Sequence, residues 1–187
     1  MRIIAGKFRG KKLTSPPDNA IRPTSDRVRE ALFSILNSRL GAGFEGLKVL
    51  DLFAGTGAFG LEALSRGAML AAFVDIGVQA RGIIRGHIEN FGVGGQTKLL
   101  KRDATELGYV EKFEPFDLIF IDPPYAKGMG EKALEAAKLG GWIAPDATLV
   151  LEEKRGVEIN LPEGFRQIDV RHYGDTSVYI LELDQIN

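Results

Sequence analysis

The chain reads as an α/β protein, a mostly parallel doubly wound sheet with an antiparallel C-terminal hairpin, preceded by a small N-terminal β-hairpin and helix. Three observations predict this. From Leu47 onward, short apolar runs alternate with amphipathic stretches of helical length, the pattern of a parallel sheet with helices on both faces. The first of these runs ends near Asp51, turns through Gly55-Thr56-Gly57 and opens into a helix, a strand–turn–helix unit. The last two runs flank Gly174-Asp175-Thr176 closely enough that they must pair antiparallel.

Taken in order, Arg2 to Ala5 and Lys11 to Thr14 form two short strands about Gly6-Lys7-Phe8-Arg9-Gly10. Ser15-Pro16-Pro17-Asp18-Asn19 is a breaker cluster and starts a loop. A helix follows with Thr24 or Ser25 as N-cap and Asp26 in its first turn. Val28, Ala31, Leu32, Ile35, Leu36 and Leu40 give that helix one apolar face, which leaves Arg27, Arg29 and Arg39 near solvent. Gly41-Ala42-Gly43 ends it. Strands are expected at 47–52, 70–75, 97–102, 117–122 and 147–152, and helices near 58–66, 77–91 and 129–139. A short turn lies about 104–110, and strands 167–173 and 177–183 form the closing hairpin. The chain thus divides into a hairpin-and-helix arm over 1–40 and a larger domain over 41–187.

At 187 residues the protein can bury roughly 70% of its unfolded surface. It contains no cysteine, so disulfides and thiolate chemistry are excluded, and two histidines are too few for a zinc site with the usual ligands. No apolar run approaches the roughly 18 residues of a membrane span, and the opening residues do not read as a signal peptide. A cytoplasmic protein without membrane or metal partners is expected. The net charge of −1 conceals an asymmetry. Residues 1–30 hold eight basic side chains against three acids, a balance of +5 that leaves −6 for the remainder. A basic arm on a mildly acidic body points to a polyanion held at one end, with Lys7, Arg9, Lys11, Lys12 and Arg22 as phosphate contacts.

Gly55 and Gly57 let backbone pass close to a ligand, and the free N–H groups of the new helix point into the same crevice. With Gly60 they also satisfy the dinucleotide spacing, so the glycines alone do not name the ligand. Asp51 does more. A carboxylate four residues before the first glycine repels a pyrophosphate and attracts the ammonium and sulfonium of S-adenosylmethionine. Four successive strands end in an acid, at Asp51, Asp75, Asp103 and Asp122, more than helix capping alone requires. Asp75, about 20 residues beyond the glycine turn, suits a ribose, and Asp103 with the Ala104 N–H suits an adenine. Asp122-Pro123-Pro124-Tyr125 follows an apolar strand. Its prolines stiffen a turn that offers carbonyl acceptors, the Asp122 carboxylate and the Pro123 carbonyl match the two hydrogens of a base amine, and Tyr125 offers a face for an extruded base.

Asp51-Leu52-Phe53-Ala54-Gly55-Thr56-Gly57 together with Asp122-Pro123-Pro124-Tyr125 resembles the Rossmann-like class I amino-methyltransferases of nucleic acids. The opening Met1-Arg2-Ile3-Ile4-Ala5-Gly6-Lys7-Phe8-Arg9-Gly10, the segment Arg22 to Glu30 and Tyr173-Gly174-Asp175-Thr176 narrow the likeness to the bacterial RsmD family, which methylates a guanine N2 of 16S ribosomal RNA. The resemblance implies that Asp51, Gly55 and Gly57 hold the methionine end of S-adenosylmethionine, with Phe53 and Thr56 in the same turn. It implies Asp75 and Ile76 at the ribose, Asp103 and Ala104 at the adenine, and Arg22-Pro23-Thr24 closing over the cofactor. Asp122, Pro123 and Tyr125 become the catalytic group, and Pro124 joins them against the target base. The implied partner is ribosomal RNA in a small-subunit particle, bound by a monomer. Two departures stand out: Ile76-Gly77-Val78-Gln79 replaces the charged residues that usually follow the ribose acid, and the arm's aromatic, often tryptophan, is Phe8.

Rival readings are a nucleotide-dependent oxidoreductase, a noncatalytic RNA-binding module and, within the enzyme class, an adenine-N6 or DNA-directed methyltransferase. The Asp-Pro-Pro-Tyr turn selects an amine rather than a particular base. Trp142 reads as packing, Glu152 and Glu153 as surface or edge acids, and His87 as a solvated residue of a helix face.

Overall fold

The computed structural model describes residues 1–15 and 26–184. Its elements in chain order are α1 (Asp26–Arg39), β1 (Lys48–Leu52), α2 (Ala58–Ser65), β2 (Leu70–Val74), α3 (Val78–Phe91), β3 (Thr97–Leu100), β4 (Phe116–Ile121), α4 (Met129–Leu139), β5 (Ile143–Lys154), β6 (Phe165–Tyr173) and β7 (Thr176–Leu183). The strands form one sheet in the order β3-β2-β1-β4-β5-β7-β6. The first five run parallel, and β7 is antiparallel to both β5 and β6. Strands covered on both faces need apolar residues at successive positions, which is why β1, β2 and β4 are nearly continuous buried runs.

One apolar core joins Leu32, Phe33 and Leu36 of α1, Leu61 of α2 and Ile84 of α3 to Val49, Phe73 and Phe120 of the sheet. The other packs Leu134 of α4 and Trp142 against Leu50, Leu52, Val74 and Ile119. Trp142 is fully buried, stacks on Phe116 and donates from Nε1 to the Gly108 carbonyl at 2.7 Å, so it is a packing residue. The sheet order reverses between β1 and β4. The chain leaves β1 to build β2 and β3 on one side and returns to lay β4 and β5 on the other, so a crevice opens outside the carboxyl ends of β1 and β4.

α2 sits unusually close to β2. A Cβ on Gly60 would fall 2.4 Å from Cε1 of Phe73. The third glycine of the dinucleotide-like spacing therefore serves helix–strand packing.

The arm differs from the expected hairpin. The ladder expected between 2–5 and 11–14 is reduced to a single bridge between Arg2 and Lys12. Ile3 and Leu13 N–H groups still cross to the Lys11 and Met1 carbonyls at 2.9 and 3.1 Å, but other donors go to α2: Ile4 and Ala5 N–H groups to the Glu62 carboxylate at 2.8 and 3.0 Å, and Lys7 and Phe8 N–H groups to the Ser65 carbonyl and hydroxyl at 2.7 and 2.9 Å. Ile3, Phe8 and Leu13 enter the same core as α1 and α2, and Phe8 packs on Phe91 with ring centroids 5.3 Å apart. The N-cap expected at Thr24 or Ser25 lies outside the described residues.

Arg29 also departs from expectation. Its side chain is completely buried, whereas Arg27 and Arg39 are exposed. Arg29 shares the spacing of Leu32, Phe33 and Leu36, the residues that α1 turns inward. Among the described residues no helix is long and apolar enough to cross a membrane.

Candidate active site

Two turns meet at the switch point. The first leaves β1 with Phe53 at φ +56°, Gly55 at +56° and Gly57 at +75°, and Gly57 starts α2. The second leaves β4 through Asp122-Pro123-Pro124-Tyr125 and contains Ala126 at φ +59°. Among the described residues Phe53 and Ala126 are the non-glycines in the left-handed region, one in each turn. Such backbone persists only where its surroundings enforce it. The turns are tied directly, because β1 and β4 are hydrogen-bonded neighbours and the Asp122 N–H donates to the Leu52 carbonyl at 3.4 Å.

Both turns line one cavity of about 580 Å³. Phe53, Gly55, Thr56, Asp75, Ile76, Asp103 and Ala104 form part of its wall, and Asp122, Pro123, Pro124 and Tyr125 another part. The sequence-predicted cofactor and base-binding residues are thus brought together with two exceptions among those described, Asp51 and Gly57, which do not line it; the predicted phosphate contacts Lys7, Arg9, Lys11 and Lys12 also lie off its wall. Thr24 and Arg22 lie outside the described residues. The correction at Asp51 has a clear cause. β1 continues to Leu52, so Asp51 is inside the strand, buried, with Oδ2 accepting the Gly60 N–H at 3.0 Å. Burial pushes its carboxyl well above the usual carboxylate range, with the nearby charges of Asp122 and Asp75 adding to the shift and the Gly60 N–H opposing it.

Asp75 organises the first turn. Oδ2 accepts the Gly55 N–H at 2.9 Å and Oδ1 the Gly77 N–H at 2.7 Å, so one carboxylate joins the glycine turn to the start of α3. Each oxygen retains acceptor capacity. Asp103 caps a short 3-10 turn through Oδ1, which accepts both the Thr105 N–H at 2.8 Å and its hydroxyl at 2.7 Å. Those two bonds hold the Asp103 carboxyl below its ordinary value.

The second turn rests on residues that sequence reasoning misplaced. Glu152 and Glu153, expected at the surface, are both buried. Glu153 Oε1 accepts the N–H of Ala126 at 2.9 Å and that of Lys154 at 2.6 Å, which braces the strained position after Tyr125. Burial, and then the Glu153 charge, push Asp122 up to about 7. Tyr125 is pushed up to about 12, chiefly by burial, and its hydroxyl lies 3.2 Å from the Thr176 hydroxyl. The signal available in sequence was that β5, like the strands beside it, ends in acids.

His87 is the other correction. It is buried, with Nδ1 donating to the Thr56 carbonyl at 3.0 Å and Nε2 accepting the Thr14 N–H at 2.8 Å. A carbonyl on one side and an N–H on the other fix the neutral Nδ1–H tautomer. Ala80, Ile84, His87 and Phe91 share the inward face of α3, a helical spacing legible in the sequence.

Lys7, Arg9, Lys11 and Lys12 are all exposed, and Lys11 lies over the Phe8 and Phe91 rings at 5.0 and 4.8 Å. They form a cationic edge on the arm.

A parallel sheet with an antiparallel end, a glycine turn on β1 and an acidic proline turn on β4 define a Rossmann-like class I methyltransferase. The fold is shared with a ribosomal protein L11 methylase from Lactobacillus delbrueckii, TM-score 0.64 at 17% identity over 87% of this chain and 81% of that one. The family model described as conserved hypothetical protein 95 matches residues 1–182, and the chain belongs to that family, the RsmD family. It is 35% identical over 164 residues to ribosomal RNA small subunit methyltransferase D of Escherichia coli, covering 87% of this chain and 78% of the relative. A solved chain from Escherichia coli superposes with a TM-score of 0.83 at 28% identity, covering 98% of each.

Proposed function

We propose that this chain transfers a methyl group from S-adenosylmethionine to the exocyclic N2 of a guanine in 16S ribosomal RNA, as a cytoplasmic monomer working on a small-subunit particle. One observation carries the reading: the Asp-Pro-Pro-Tyr turn and the glycine turn share one cavity across hydrogen-bonded strands. The relatives named small subunit methyltransferase D support ribosomal RNA as the substrate class.

The residues present fit the donor. The cavity is of the size that holds a ligand of this class. The charges of Asp75 and Asp122 disfavour ionisation of Asp51, and a cationic ligand would relieve that repulsion. Asp75 would accept the ribose hydroxyls, Asp103 and the Ala104 N–H would face the adenine, and exposed Ile76 would give it an apolar flank. Gly55 and Thr56 would hold the methionine end, and Asp51 would act from beneath by fixing the start of α2. When bound, S-adenosylmethionine supplies a methyl group activated by a sulfonium.

The chain's own task is then position and electrostatics. An aromatic amine is a poor nucleophile because its lone pair is delocalised into the ring. Asp122 and the Pro123 carbonyl would accept its two hydrogens, which favours a tetrahedral nitrogen and stabilises the positive charge that grows there. Tyr125 and Pro124 would hold the base plane, and stacking of this kind contributes about 1–3 kcal/mol. Lys7, Arg9, Lys11 and Lys12 would grip phosphates.

The test is a labelled methyl donor incubated with small-subunit particles, free 16S RNA and DNA, followed by nucleoside analysis. Label in N2-methylguanosine from the particles is the expected outcome. Label in N6-methyladenosine, or in DNA alone, would refute the base or substrate assignment.

A further inference from the structure

Arg29 is fully buried and lines the cavity wall, yet it is only half satisfied. Its Nη2 donates to the Arg2 carbonyl at 2.6 Å and to Asp26 Oδ1 at 2.9 Å. Nε and Nη1 have no partner among the described residues, which leaves three of the five guanidinium N–H groups unused. A charged side chain in that position is costly, and native proteins rarely keep such donors idle without a reason.

Its placement supplies one. α1 packs through Phe33 on Phe59 and Phe120, which sets Arg29 on the β1/β4 side of the cavity. Asp75 and Asp103 stand beyond the ends of β2 and β3, on the other side. A donor whose adenosine lies over Asp75 and Asp103 therefore directs its amino-acid end toward the Arg29 side. That end carries an anion, the α-carboxylate, which none of the wall's acids can serve. Among the described residues the wall has two other cationic side chains. Arg102 donates to the Leu107 carbonyl and lies 5.4 Å from the Trp142 ring, and Lys127 is exposed. Arg29 is the buried one.

Resting on the donor assignment above, we propose that the idle N–H groups of Arg29 bind the α-carboxylate of the methyl donor. The same guanidinium holds the Arg2 carbonyl, so it links the arm to the donor's amino-acid end.

The experiment measures by calorimetry the affinity of the full chain for S-adenosylhomocysteine, for its decarboxylated analogue and for 5′-methylthioadenosine. Wild type should favour the carboxylate-bearing ligand over the decarboxylated one by about ten- to hundredfold, the worth of a charge-assisted hydrogen bond. Arg29→Met should lose that preference while binding methylthioadenosine as before, and Arg29→Lys should recover part of it. Because Arg29 also holds Arg2 and Asp26, unchanged methylthioadenosine binding doubles as the check that the variant is folded. Should Arg29→Met unfold, the wild-type preference and the partial loss in Arg29→Lys carry the test. Equal discrimination in wild type and variants overturns the proposal, as does a loss of RNA binding with donor affinity intact. Wild type that binds none of the three ligands removes the donor assignment itself.

Discussion

His87 accepts the Thr14 N–H at 2.8 Å while its other ring nitrogen donates to the Thr56 carbonyl at 3.0 Å. One imidazole thereby spans from the end of the arm to the glycine turn on the cavity wall. Burial lowers its pKa below the ordinary 6.5, against the opposing Thr56 bond. A lowered pKa means that the unfolded chain binds the proton first, so this contribution to stability is present above about pH 6.5 and is lost as pH falls further. The stability advantage of wild type over His87→Gln, read as urea midpoints, should shrink between pH 7.5 and pH 5. A constant difference across that range would exclude the neutral, two-bonded imidazole.

Asp122 titrates in the opposite sense. Its folded-state carboxyl stands at about 7, so the stability it contributes is greatest in acid and is lost as pH rises through that value. If Asp122 accepts the base amine as proposed, transfer should need its ionised form, and the rate should rise with pH about a midpoint near 7. Asp122→Asn should slow turnover by about two to three orders of magnitude and flatten this limb, with donor affinity nearly unchanged. Glu153→Gln should move the midpoint down, since the Glu153 charge helps to raise Asp122. Near-normal turnover in Asp122→Asn would end the assignment.

The cationic edge of the arm should govern salt dependence. Replacing Lys7, Arg9, Lys11 and Lys12 together by glutamine should weaken RNA binding and flatten the plot of log affinity against log salt by roughly 0.7–0.9 for each phosphate that is no longer neutralised. Affinity for S-adenosylhomocysteine should not move. An unchanged slope would place the RNA elsewhere.

Gly60→Ala should be destabilising although alanine is the better helix former. Its methyl would lie 2.4 Å from Cε1 of Phe73, in a helix whose eight residues are all buried. Overpacking of this kind costs about 1–3 kcal/mol, more than the ~1 kcal/mol of helix propensity gained. A stability at or above wild type in thermal unfolding would contradict the packing.

The parallel sheet, the glycine turn and the proline turn were legible because each is written in adjacent residues: an apolar run, a breaker, an acid. The partners of the polar residues of the interior were not. Arg29, His87, Glu152 and Glu153 keep helical or strand spacing with apolar neighbours, so their positions marked them as inward. Their partners come from other elements: the Arg2 carbonyl for Arg29, the Thr14 N–H for His87, the Ala126 N–H for Glu153. Pairing across elements of that kind leaves no local trace. At Asp51 the strand was legible but the direction of the side chain was not: it turns inward to accept the Gly60 N–H, beneath the glycine loop rather than over it.

Gly6 has φ +80°, and a Cβ there would lie 1.8 Å from the Ser65 carbonyl oxygen. The arm is thus clamped to the body at a point where no bulkier residue fits, and it cannot swing as a tether would. If its lysines grip phosphates, the stretch of RNA between those phosphates and the base entering the cavity has a preset length. The enzyme would then choose its nucleotide partly by measurement, as a caliper does, and an RNA bent to a different span would be refused without any base being read.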